Sequence, residues 1–355
     1  MMAGERLRLV AGLVGSAGVA DAGLDPAAFE ACCVDRWRDS LVARSYSQRT
    51  IDGSLPVLER FLVQCGCPVW DVTRDDIDRV MVNLADGGIA PSTRAGYLQI
   101  FKNFHVFVAA RFAVEIEHRF GVVIADPVDA FNRPVNVGFG VGASRPPPTV
   151  ERLSEFFGFM RDQIATARKY ATAGRDYTIF RILYHAGLRS DEAARLAVSD
   201  VHLDRGPFGK LHVRFGKGTR TSGPRARWVP LLDELDLILS WYLADVRPRF
   251  GTVSEALFCD EAGGPIHTGT VGNRLRVALN AERCGPDGHF SPHDLRRACA
   301  THNYERGVDL VAIQQLLGHW QIGTTMRYVT PSSTFIEDAY RRALSANLAE
   351  LEKED

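Results

Sequence analysis

The sequence has no evident place to hold a metal ion or a nucleotide. No cluster of Asp and Glu spaced for Mg²⁺ stands out, and no G-x₄-G-K-[ST] loop occurs. No metal and no other cofactor is therefore expected. The seven cysteines (Cys32, Cys33, Cys65, Cys67, Cys259, Cys284 and Cys299) are odd in number and lack the paired spacing of a zinc ribbon or finger. They read as reduced thiols, not as a disulfide framework. Long apolar runs are missing too. Leu9 to Ala20 is diluted by three glycines and a serine and is too short to span a bilayer. Arg6 and Arg8 imitate the start of a secretory signal, but Asp21 and Asp25 follow and no clear cleavage site appears. No membrane association is expected. Net charge is nearly absent, at −1, unlike the strongly basic balance of many nucleic-acid-binding domains. One stretch, however, lacks acid altogether. Arg205 to Trp228 holds seven basic residues (Arg205, Lys210, Arg214, Lys217, Arg220, Arg225, Arg227) and no acidic one. Acid concentrates elsewhere, as at Asp71, Asp75, Asp76 and Asp78 and in the tail from Glu350 to Asp355. That asymmetry fits a chain with one face toward phosphate and another toward solvent.

What is present is enough for two globular domains: 355 residues, 46% hydrophobic and 24% charged. The Pro/Gly-rich stretch 132–149 reads as a linker. Residues 1–34 read as an N-terminal extension, 35–131 as a helical domain, 150–331 as a mixed α/β domain, and 332–355 as a C-terminal helix. The fold class expected is mostly α with a small antiparallel β-sheet. In the first domain Ile51, Leu55, Leu58, Phe61 and Leu62 carry helical spacing over 48–64. Thr73 with Asp76 is a capping signal, Gly87-Gly88 a stop, and a long helix starts near Ser92. Arg94, Lys102 and Arg111 lie along that helix as candidate phosphate contacts. In the second domain helices are expected over 150–169, 176–185, 233–245, 270–281, 294–304, 311–317 and 335–351. Two strands, 210–215 and 225–231, flank a Gly/Thr/Ser turn. Arg214 and Arg220 of this hairpin are further candidate DNA contacts.

Against that frame stands an ordered set: Gly187-Leu188-Arg189 with Glu192, Gly216-Lys217-Gly218, His293-Asp294-Leu295-Arg296, Leu317-Gly318-His319, and Tyr328. Each alone has a bland reading: a helix end, a hairpin tip, a surface pair, a C-cap, a half-buried aromatic. Together they are a phosphodiester chemistry. Arginine's planar fork suits the non-bridging oxygens of a pentavalent transition state. His293 and Arg296, three apart, emerge on one helical face, and Glu192 is placed to hold Arg189. A tyrosine with pKa about 10 is only about 0.1% phenolate at pH 7, so the nucleophile needs adjacent cations and a base. Lys217 suits a general acid, His293 a proton acceptor, and His319 a phosphate contact through its ring N–H.

These motifs resemble the tyrosine recombinase (phage integrase) family over about residues 148–345. The first box resembles residues 184–192 (YHAGLRSDE), the second Ser291-Pro292-His293-Asp294-Leu295-Arg296 followed by Ala300-Thr301, and the third Leu316-Leu317-Gly318-His319, Thr324-Thr325 and Tyr328, nine residues after His319. The resemblance implies that Arg189 and Arg296 bind the scissile phosphate and that Lys217 is the general acid. It makes His293 the acid/base histidine, His319 a phosphate contact, and Tyr328 the nucleophile of a 3′-phosphotyrosyl bond, with Glu192 supporting Arg189. It further implies a helical core-binding domain at 35–131 and strand exchange through a Holliday junction without ATP. The partner implied is double-stranded DNA with inverted-repeat sites, bound by a dimer per site and a tetramer in synapsis, with a partner recombinase or directionality factor where one is needed. The tail helix then packs on its own or on a neighbouring protomer. A simple two-domain enzyme of the Xer, Cre or transposon kind, cytoplasmic and at the nucleoid, is expected. The alternatives are a type IB topoisomerase-like relaxing enzyme and a non-catalytic DNA-binding homologue.

Overall fold

A computed structural model describes residues 25–135, 146–219, 223–251, 254–283, 285 and 288–341, with the backbone only at 217–219 and 223–224. The chain divides into two compact units, 1–143 and 144–355.

The first unit is helical. Helix α1 is Pro26–Ala43, α2 Gln48–Cys65, α3 Arg74–Asp86 and α4 Pro91–Phe120. Local chemistry sets their ends. Asp25 accepts from the Ala27 N–H ahead of α1, Ser47 caps α2, and Thr73 and Asp76 form a reciprocal capping box on α3. Pro91 opens α4 where its missing N–H costs nothing, and Gly121, in the left-handed region, closes it. The core is aromatic. Phe61 stacks on Phe101 at 4.8 Å between centroids, and Trp37 meets Phe104 edge-on at 5.5 Å. Helix α1 corrects the expected extension over 1–34. From Pro26 onward that segment is helix, and Phe29 and Cys33 are fully buried in this core. The earlier part of the extension lies outside the described residues.

The second unit wraps around α6 (Tyr170–His185), which follows α5 (Val150–Thr166). Helix α6 is buried on nearly all sides from Thr172 to Tyr184, so it carries no polar stripe. It begins six residues before the expected start at Asp176, and Arg175 and Asp176 are buried within it and pair at 2.7 Å. After the short α7 (Ser190–Ala194) come three antiparallel strands in the order β1 (Val201–His202), β2 (Lys210–Thr219), β3 (Gly223–Pro230). Leu211 pairs with Val229 and His212 with Trp228; the register is irregular between Val213 and Gly216. The helix expected over 233–245 is shorter. Asp233 and Glu234 adopt positive φ, α8 covers only Leu235–Trp241, and a π turn (Tyr242–Val246) and a 3₁₀ turn (Arg247–Phe250) follow. The reason is tertiary. Asp233 is held by His185 at 3.1 Å and Arg306 at 2.9 Å. The remaining helices are α9 (Thr268–Glu282), α10 (Pro292–Glu305), α11 (Leu310–Leu317) and α12 (Ile322–Met326). Of the C-terminal helix expected over 332–355, residues 333–341 are helical, and the rest lies outside the described residues. No described helix is long and apolar enough to cross a membrane.

Candidate active site

Four helix ends and one strand of the second unit converge here. Arg189 is the N-cap residue of α7, reached from α6 by a turn at Gly187. Gly187 has φ +60°, and a Cβ there would stand 2.6 Å from Leu317 Cδ2 and 3.0 Å from Cys299 Sγ. The turn therefore needs glycine both for its backbone and for close packing. Gly187→Ala is expected to cost about 1–3 kcal/mol, from strain and overpacking. Urea denaturation would measure it, and an unchanged midpoint would contradict the packing argument.

Arg296 sits on α10, whose start is fixed by Pro292 and by the capping box of Ser291 and Asp294. It is fully buried, an unusual place for a guanidinium. Its terminal N–H groups donate to the carbonyls of Gly187 and Leu317 (the latter 2.6 Å) and to His319 Nε2 at 2.9 Å. Its Nε has no hydrogen-bond partner among the described residues. The carboxylate below is Glu192, buried and shared by three arginines. Arg189 donates at 2.8 Å, Arg227 donates to both oxygens at 3.1 and 2.8 Å, and Arg296 stands 3.7 Å away. Burial alone would raise the Glu192 pKa; the hydrogen bonds and charge of Arg227, with Arg296 and the Arg189 N–H, overcome it and bring it to about 2.

Helix α11 ends at Gly318 in the left-handed region, which releases the chain into His319. The loop is tied back by Gln314, which donates to the His319 carbonyl at 3.0 Å. A guanidinium cannot accept, so His319 Nε2 accepts from Arg296, and Nδ1–H donates to Thr325 Oγ1 at 2.9 Å. Both ring nitrogens are thus engaged within the protein. In this arrangement the ring orients Arg296. Burial, then the charges of Arg296, Arg189 and Arg227, push the His319 pKa down to about 3. Tyr328 follows α12. Its ring lies 4.7 Å from that of His319 and 5.1 Å from that of His293, with the Arg296 guanidinium 5.8 Å from its centroid. Its backbone is pinned by the Thr325 carbonyl at 2.9 Å and by Thr301, whose hydroxyl donates to its carbonyl at 3.2 Å. His293 lies at the exposed rim, and desolvation followed by the neighbouring Arg296, Arg297 and Arg189 lowers its pKa. It is neutral at pH 7 and can accept a proton.

A neutral buried imidazole has a consequence for stability. Folded His319 binds its proton only near pH 3, the unfolded ring near 6.5. Between those values the unfolded state holds more protons, so stability is full above about pH 6.5 and declines as pH falls toward 3. His302 and His185, also lowered by burial, act in the same direction, and Glu192 adds its loss below 4.5. Melting temperature is expected to drop on acidification from pH 7, less steeply in His319→Gln. A flat profile between pH 7 and 5 would contradict this.

Arg189, Glu192, His293, Arg296, His319 and Tyr328 are therefore gathered in one place. Lys217 lies on β2, with its side chain outside the described atoms. Arg220 lies outside the described residues. Arg214 lies on β2 with its side chain 40% exposed. Its guanidinium is held on buried Asp200 at 2.6 and 2.9 Å, which offsets its charge locally. In the first unit Arg94 donates to the Met81 carbonyl at 3.4 Å and Lys102 is 3.7 Å from Asp126, while Arg111 is exposed. Sequence reading missed Arg227 as a member of the cluster. Its signal was the acid-free basic run, which does not say which of seven cations turns inward.

A helical fold with a small sheet, three arginines around a buried carboxylate, and a tyrosine among histidines define a class: enzymes that transfer DNA strands through a tyrosine. The comparisons agree. Residues 160–334 match the phage integrase family. The chain is 28% identical over 273 residues to the tyrosine recombinase XerD of Staphylococcus saprophyticus subsp. saprophyticus, covering 76% of this chain and 82% of that protein. The fold is similar to that of the Tn1549 transposon integrase in complex with transposon right end DNA (TM-score 0.63, 17% identity, 88% of this chain and 99% of that one). It is also similar to a lambda integrase dimer bound to a COC′ core site (TM-score 0.59, 16% identity, 84% and 94%). The chain belongs to the phage integrase family and is a site-specific recombinase of the tyrosine class.

Proposed function

We propose that the phenolic oxygen of Tyr328 attacks the scissile phosphorus, forms a 3′-phosphotyrosyl bond and expels the 5′ oxygen. His293 takes the phenolic proton, Lys217 protonates the leaving oxygen, and Arg189 and Arg296 bind the non-bridging oxygens. A 5′ hydroxyl from the partner strand then attacks the phosphotyrosine, restores the phosphodiester and returns the phenol. The bond energy is kept throughout, so no ATP is needed, and two such exchanges pass through a Holliday junction. The observation that carries this reading is the placement of the Tyr328 ring against His293, His319 and Arg296, with Arg189 on the same carboxylate as Arg296.

The substrate is double-stranded DNA with inverted-repeat core sites, bound by a dimer per site and by a tetramer in synapsis. The lambda integrase dimer bound to a core site supports the dimer per site. Residues 35–131 serve as the core-type DNA-binding domain, with Arg94, Lys102 and Arg111 as backbone contacts, and 150–331 as the catalytic domain, with Arg214 and Arg220 beside the DNA. The tail from 332 packs on its own or a neighbouring protomer, the enzyme works in the cytoplasm at the nucleoid, and a partner recombinase or directionality factor sets direction where required. Recovery and sequencing of DNA covalently attached to the protein in its host tests the reading. Adducts concentrated at one short inverted repeat are expected; dispersed adducts would point to a topoisomerase.

A further inference from the structure

Three arginines surround Glu192, and the reaction described above uses only Arg189 and Arg296. Arg227 has the fuller hold on the carboxylate. It spans both oxygens with two parallel donors, at 3.1 and 2.8 Å, while Arg189 donates a side-chain hydrogen bond to one and Arg296 stands at 3.7 Å. Its third donor, Nε–H, goes to the Leu316 carbonyl at 2.9 Å, in the last turn before His319. The side chain is 10% exposed and packs against Gly318, where a Cβ would meet it at 3.0 Å. Arg227 lies on β3, paired with the strand that carries Lys217.

Charge gives this arrangement a purpose. A lone Glu192 beside Arg189 and Arg296 would neutralise one of them and leave a net charge of +1 for the phosphate. With Arg227 the cluster holds three guanidinium groups and one carboxylate, a net +2. A phosphodiester carries one negative charge, and a second develops as the nucleophile adds. We propose that Arg227 is a positioning residue that takes up the charge of Glu192, so that Glu192 can orient Arg189 without quenching it, while its bond to Leu316 sets the turn that presents His319. The proposal rests on the site being the phosphodiester-cleaving centre described above. Arginine is required for it, because a lysine supplies the charge without the fork that spans both oxygens and reaches Leu316.

The test is the single-turnover rate of covalent adduct formation on the DNA site recovered with wild-type protein. Arg227→Met, Arg227→Lys, Glu192→Gln and the double variant Arg227→Met/Glu192→Gln are compared. Arg227→Met is expected to slow the step about 100-fold, the scale of losing one preorganised donor, and Arg227→Lys about 10-fold. Removing the carboxylate charge as well restores +2, so the double variant is expected to be about 10-fold faster than Arg227→Met, a coupling that packing alone does not produce. A double variant no faster than Arg227→Met, or an Arg227→Met enzyme at the wild-type rate, would overturn the proposal. Should Arg227→Met not fold, the double variant is compared with Glu192→Gln. Rates within about threefold support the proposal, and a 100-fold deficit overturns it. Wild-type protein that forms no adduct would overturn the reading of the site itself, and this proposal with it.

Discussion

Replacing Tyr328 with phenylalanine is expected to abolish covalent attachment to DNA while leaving fold and DNA binding in place. The structure separates the two effects. What holds this residue is its ring, between His319 at 4.7 Å and His293 at 5.1 Å, and its backbone, pinned by Thr325 and Thr301. Phenylalanine keeps both and removes only the oxygen. Stability is expected to change by no more than about 0.5 kcal/mol. Adduct should fall below detection on a denaturing gel, with retention in a native binding assay unchanged. Persistent adduct would mean that another side chain is the nucleophile.

The second large effect is expected at Arg296. Truncation to alanine leaves the carbonyls of Gly187 and Leu317 and the Nε2 of His319 without their donor in a buried place. Each orphaned group costs about 1–3 kcal/mol, and the void adds to it, so a destabilisation of at least about 3 kcal/mol is expected. Adduct formation should fall about 1,000-fold, because the proposed phosphate ligand and the group that orients His319 are lost together. Arg296→Lys retains a charge but not the planar fork, and is expected to recover part of the stability and little of the rate. Urea denaturation beside single-turnover cleavage measures both. An alanine variant of wild-type stability would show that the buried hydrogen bonds are replaced by another arrangement.

Much of the fold was readable along the chain because its causes are local. Thr73 with Asp76 and Ser291 with Asp294 mark helix starts through bonds that span three residues. The hairpin of β2 and β3 shows in its β-branched residues and its glycines. Legibility failed where distant partners decide. The α1 segment is rich in Ala and Cys and has a weak apolar period, and only its burial of Phe29, Cys33 and Trp37 makes it part of the first unit. Residues 233–245 read as one helix, yet Asp233 answers to His185 and Arg306 rather than to its neighbours, and the α-helix begins only at Leu235.

The site divides in the same way. The sequence by itself determined which residue types are at hand to bind a phosphate, move a proton or attack, and the interval from His293 to Arg296 that puts this pair on one helical face; the interval from His319 to Tyr328 carried meaning only through the family resemblance. Tertiary structure alone decided how the charges are shared. It turned Arg227 inward onto Glu192 and put Arg214 on Asp200, though both come from the same basic run. It also directed the two nitrogens of His319 to Arg296 and Thr325. Residues 192, 227, 296 and 316 are far apart in the chain and meet only because the core beneath them packs one way, and the partner of a buried charge is set by that packing rather than by spacing.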